Sequence, residues 1–182
     1  MAAGRNGILP RMKKTALLAL AAALAAAALP AAETNVVDAI ALGRLGTGVS
    51  DDGWTAAGLD NYAASSDSAL RFNARDDSLV SPAFARPVTR IVLQVRSSSA
   101  AHRRLAFTPL RSNGSAATNL TRLCDYSPTD SSFPEQTLTW PWSAHVTKFR
   151  VRLEGDSTTA WGIKTMSLVF DDPAPGTAVV IR

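Results

Sequence analysis

The 182-residue sequence predicts an all-β chain: an antiparallel β-sandwich of eight or nine strands behind an N-terminal targeting segment. Three observations carry this expectation. Short segments alternate apolar and polar residues with a period of two, as half-buried strands do. Gly, Pro, Asn, Asp and Ser break them at intervals close to those of a sandwich. Only "NVVDAIALGRL" competes as a helix, and it is short and bounded by glycine.

The elements follow in order. "DAIAL", Asp38 to Leu42, is the candidate first strand. The next stretch, "GRLGTGVSDDGWTAAGLDNYAASSD", is rich in Gly, Ser and Asp and reads as loop with one short edge element. "ALRFN" sets Leu70 and Phe72 on one face. "SLVSPAF" supplies Leu79 and Phe84 around Pro82, which marks a strand end or an edge. In "TRIVLQVRSS", Ile91, Leu93 and Val95 face one way and Arg90, Gln94 and Arg96 the other. "RLAFTPLRS" and "TNLTRLCDY" flank a turn, "NGSA", and "QTLTWPWS" comes next. "TKFRVRLEGD" is the clearest strand, with Phe149, Val151 and Leu153 alternating with Lys148, Arg150, Arg152 and Glu154. "IKTMSLVFDD" closes the pattern, with Met166, Leu168 and Phe170 on one face. Residues 173–182 read as the start of a linker, as in a fragment or cousin of a multidomain protein.

At the front, Lys13 and Lys14 precede a 14-residue uncharged apolar run, Ala16 to Leu29, and then small residues suited to signal peptidase. The run falls short of the roughly 20 residues that span a bilayer. Residues 1–32 are therefore expected to be a signal peptide of bacterial type, with Met12 as an alternative start and cleavage after Ala28 or Ala32. A secreted, periplasmic or cell-surface location follows, with no membrane span after cleavage. Removing this segment changes the charge argument. It holds Arg5, Arg11, Lys13 and Lys14 and no acid, so the rest balances 15 basic against 15 acidic residues. A nucleic-acid partner loses its electrostatic basis. Cys124 is the single cysteine, so no intrachain disulfide forms and stability rests on core burial. With two histidines beside it, a His/Cys zinc site is not expected.

A resemblance rests on the succession of Gly53-Trp54 in an early loop, "ALRFN", "SLVSPAF" and "TRIVLQVRS", and on the closing "TKFRVRLEGDSTTAWGIKTMSLVFDD". This order is similar to that of exported bacterial jelly-roll modules, which resemble galactose-binding-like and carbohydrate-binding domains. It covers most of residues 33 to 172. The resemblance implies a jelly-roll β-sandwich over 33–172 and a surface or accessory role, and it assigns no site residue.

The candidate ligand residues are aromatic. In "LTWPWS", a strand would set Leu138, Trp140 and Trp142 on one face, and Pro141 marks an edge or a strand end. Two exposed indoles there could stack on the C–H faces of a sugar. The favoured alternative is packing in the core or at its rim, including a mixed arrangement with Trp140 inside and Trp142 at the rim. Trp54 and Tyr62 in the long early loop, and Trp161 near a loop before the last strand, either wall a small cleft or plug the open end of the core. Plugging is the favoured reading.

Other side chains suggest less. The acid pairs Asp51-Asp52, Asp76-Asp77 and Asp171-Asp172 lie in turns or strand ends, where carboxylates and carbonyls could gather around a structural calcium. Asp is also simply common in turns. No other cofactor is expected. If the strands holding Arg90/Arg96 and Arg150/Arg152 were neighbours, their arginines would form a stripe for an anionic sugar. A solvated, acid-paired face is the commoner arrangement. Catalysis finds little support: His102 and His145 lie beside turns with no nucleophile in context, and only Glu33, Glu135 and Glu154 exist as glutamates. Cys124 reads as a small buried hydrophobe. The expected function is a non-catalytic exported binding module for polysaccharide or cell-surface glycan. The alternative is a structural or adhesive surface domain without a small ligand, and a third class is a small hydrolase using Asp residues.

Overall fold

The computed structural model describes residues 32–61, 69–97, 104–125, 133–155 and 160–171. The proposed signal peptide up to residue 31, the tail 173–182, Tyr62, His102 and Asp172 lie outside the described residues. The described residues fold as an antiparallel β-sandwich of jelly-roll type. Twelve strands occur where eight or nine were expected: β1 (Glu33–Val37), β2 (Gly48–Val49), β3 (Thr55–Ala57), β4 (Asp60–Asn61), β5 (Leu70–Phe72), β6 (Ser78–Val80), β7 (Arg90–Ser97), β8 (Arg104–Pro109), β9 (Arg122–Leu123), β10 (Glu135–Thr139), β11 (Phe149–Glu154) and β12 (Trp161–Phe170). The surplus comes from strands of two or three residues, too short to show a period.

The first sheet has the order β10-β7-β12-β5-β4, with β1 paired to the far half of β12. The second has the order β2-β3-β6-β11-β8-β9. From β5 onward the chain passes repeatedly from one sheet to the other, with only β8 and β9 staying together, which is the jelly-roll path. The core lies between the sheets. Ile91, Leu93 and Val95 of β7, Met166 and Leu168 of β12, Phe107 of β8 and Phe149 and Val151 of β11 are all fully buried, as the alternation requires. Trp54 and Phe149 meet edge to face at 5.8 Å, and Phe84 and Phe170 at 5.5 Å.

Two expectations are corrected. "DAIAL" is not the first strand: Ala39–Leu45 forms a helix, α1, and β1 precedes it. Asp38 decides this, because its side chain accepts the Ala41 amide at 2.9 Å and caps the helix start. Ala39, Leu42 and Gly43 then bury one helical face. The long early loop holds three short strands, β2 to β4, rather than one edge element.

Cys124 follows β9 and is fully buried, with its amide donating to the Leu105 carbonyl at 2.9 Å. Burial pushes its thiol far above the ordinary range, and Asp125 adds in the same direction. The native protein is therefore expected to resist thiol reagents at neutral pH and to react fully once unfolded. Stoichiometric labelling of native protein would contradict this placement.

Candidate functional site

The structure sorts the four tryptophans. Trp54 (2% exposed), Trp140 (3%) and Trp161 (0%) are core residues. Trp54 packs its ring against Phe84 and Phe149. Trp140 donates its indole N–H to the Leu120 carbonyl at 2.7 Å, which satisfies the polar atom of an otherwise apolar side chain. Trp161, expected near a loop ahead of the last strand, is the first residue of that strand, β12, opposite Phe72 and Ser97. These three have no face left for a ligand. Trp142 alone remains half-buried.

The local chain explains the split. β10 ends at Thr139, and the Trp140 amide makes one more bond, to Thr89, at 2.8 Å. Pro141 has no N–H to continue the ladder. Trp142–Ala144 then turns into a 3₁₀ helix, so Trp140 and Trp142 do not share a strand face. The turn closes with His145 amide to Trp142 carbonyl (3.0 Å), and His145 takes a left-handed backbone, φ 49°. It is the only non-glycine with positive φ among the described residues. Such a conformation has a conformational cost and often marks a functional position.

The exposed His145 ring stands edge to face with Trp142, at 6.2 Å and 85°. His145 also lines a cleft of about 380 Å³ whose walls include Arg111, Ser112, Asn119, Leu120 and Thr147. Arg111 Nη1 leans on its own turn, donating to the Ala116 carbonyl at 3.3 Å. The cleft thus combines an apolar floor, a half-exposed indole beside it, and donors and acceptors of several kinds. Arg111 and Ser112 were not singled out in the sequence, and Asn119 only as the first residue of the glycosylation acceptor pattern "NLT". They come from the turn after β8 and the short 3₁₀ helix Thr118–Leu120, about thirty residues from Trp142, and no local period links them.

The aspartates are dispersed. Asp52 accepts from the Ser50 hydroxyl, and Asp51 is exposed beside it. Asp77 is buried, accepting the Asn73 and Ala74 amides at 2.6 and 2.8 Å. Asp171 pairs with Arg90 at 3.2 Å and accepts from Thr89. Among the described residues no group of three or more His, Cys, Asp or Glu could hold a metal, so the calcium expectation finds no assembled donor set there. Asp76 and Glu154 line one cleft of about 360 Å³, but Arg75 and Arg152 line it too, and Glu154 is ion-paired with Arg152 at 3.5 Å. The arginine stripe spanning two strands is also corrected. β7 and β11 belong to different sheets, so Arg90 and Arg96 face away from Arg150 and Arg152.

No family model matches the chain, and no curated protein does. Among solved structures, the CBM22-1 xylan-binding domain from Paenibacillus barcinonensis Xyn10C is similar at 13% identity and a TM-score of 0.40, over 69% of this chain and 91% of that one. TmCBM61 in complex with beta-1,4-galactotriose is similar at 7% identity and a TM-score of 0.31, over 79% of this chain and 86% of that one.

Proposed function

We propose that this chain is an exported, non-catalytic glycan-binding module that binds at the Trp142–His145 rim. One observation carries the reading: three indoles are spent on the core, while the fourth is held half-exposed by a left-handed turn at a polar cleft. A flat aromatic face beside fixed donors and acceptors suits a sugar ring, whose C–H face stacks while its hydroxyls hydrogen-bond. Export rests on the signal-peptide pattern of residues 1–32. A second reading, adhesion through protein contacts, has its own support: among the described residues β1 pairs only with β12, and it exposes Val36 at 71%.

Tryptophan fluorescence of the purified chain, titrated with soluble polysaccharides with and without calcium, tests the proposal. Acrylamide is expected to quench one indole class only, and a binding glycan to protect it. Trp142→Ala should weaken binding by about 2 kcal/mol or more, roughly thirtyfold, with the fold intact. A folded variant that binds as the parent does would remove Trp142 from the site and favour the adhesive reading.

A further inference from the structure

The next inference rests on the glycan-binding reading and narrows its ligand. Phe149, Val151 and Leu153 of β11 face the core, so Lys148, Arg150 and Arg152 stand on the outer side of the second sheet, about 7 Å apart. Register sets Arg150 between Thr108 of β8 and Val80 of β6, and Arg152 between Ala106 and Ser78. Thr55 and Ala57 of β3 extend the same rows. Across these outward positions stand Lys148, Arg150, Arg152 and Arg104, against Glu154 and, beside Arg104, Asp125. Arg152 is paired with Glu154 at 3.5 Å, and Arg104 with Asp125 at 3.6 Å.

Arg150, in the middle, has no acid partner among the described residues, and its Nε is buried with no hydrogen-bond partner. A buried guanidinium N–H without an acceptor is costly, and no described acid offsets the charge of Arg150. The row also has direction. It begins beside Thr147, in the wall of the Trp142–His145 cleft, and ends at Arg152, in the wall of the cleft with Arg75. The track is about 17 Å long at strand rise, long enough for an extended chain rather than a single ion.

We propose that the glycan is acidic, lying along β11 with an oxyanion on Arg150 and Lys148 while one ring packs at Trp142. A guanidinium takes a planar carboxylate through two parallel N–H···O bonds, which makes uronate the expected group. Sulfate presents the same oxyanion chemistry and is separated by experiment.

The test titrates the purified chain with polygalacturonate, a sulfated galactan and a neutral galactan at low and high salt. Polygalacturonate should bind about tenfold tighter than the neutral polymer at low salt, and the advantage should shrink as salt screens it. Arg150→Gln keeps a polar side chain and removes the charge, and it should abolish the preference. Arg44→Gln on α1 makes the same charge change off the track and should leave the preference unchanged. Equal losses in both variants, or none in Arg150→Gln, would overturn the proposal. So would equal binding of acidic and neutral polymers that depends on Trp142, which leaves the glycan reading standing. Preference for the sulfated polymer, still lost in Arg150→Gln, keeps the oxyanion site and replaces uronate with sulfate. Binding that needs Arg150 but survives Trp142→Ala keeps the cation track and overturns the aromatic half of the site. Binding to none of the three polymers removes both readings.

Discussion

Trp161→Ala is expected to cost about 3–5 kcal/mol, against about 1 kcal/mol for Trp142→Ala. Trp161 is fully buried at the start of β12, the strand that bridges β7 to β5 and β1 in the first sheet. Truncation there removes the largest fully buried side chain and leaves a cavity lined by strands whose ladder bonds prevent collapse. Trp142 sits on a 3₁₀ turn at the rim, where the space it vacates fills with solvent. Against the usual 5–15 kcal/mol of a domain's stability, the first change removes a large share and the second little. Urea denaturation of both variants measures the difference. Comparable losses would mean that Trp142 is a core residue, and its place as a ligand platform would fall with that result. The sorting of the indoles is thus a claim about stability before it is one about binding.

That sorting was only partly legible in the sequence. β7, β11 and β12 run for 8, 6 and 10 residues with one face in the core, so hydrophobic burial writes its period into them. β2, β4 and β9 have two residues each, and pairing rather than periodicity makes them strands. α1 was misread because Asp38, Ile40 and Leu42 alternate with small alanines, which imitates a strand. The capping bond from Asp38 and the buried Ala39, Leu42 and Gly43 tip the segment to helix. At the site, Pro141 signalled a strand end, but the turn that lifts Trp142 out depends on His145 adopting positive φ, for which histidine is only a weak marker. The cation row was visible as alternation in "TKFRVRLE". That no acid stands opposite Arg150 depends on which strands flank β11, and that is a property of topology.

Asp77→Ala is expected to cost about 2–4 kcal/mol, because it strips the acceptor from two backbone amides in a tight turn. One Asp77 carboxylate oxygen holds the Asn73 and Ala74 amides, and its own amide donates to the Ala74 carbonyl at 3.2 Å. This clamp shapes the segment that carries the chain from β5 in the first sheet to β6 in the second. The other carboxylate oxygen faces Gly58, where an added Cβ would lie 2.4 Å from it. Gly58 also has φ +69°, so Gly58→Ala combines a left-handed backbone cost of about 1–2 kcal/mol with displacement of the carboxylate. Since both changes disable one clamp, the double variant should lose clearly less than the sum of the two. Denaturation midpoints of the four proteins complete the cycle, and strict additivity would show that the glycine and the carboxylate act independently. Arg75 and Asp76 sit inside this turn and line the cleft where the cation row of β11 ends. Loosening the clamp should therefore weaken binding of an acidic glycan at that end while sparing the Trp142 rim, a pattern that a general loss of folded protein would not produce.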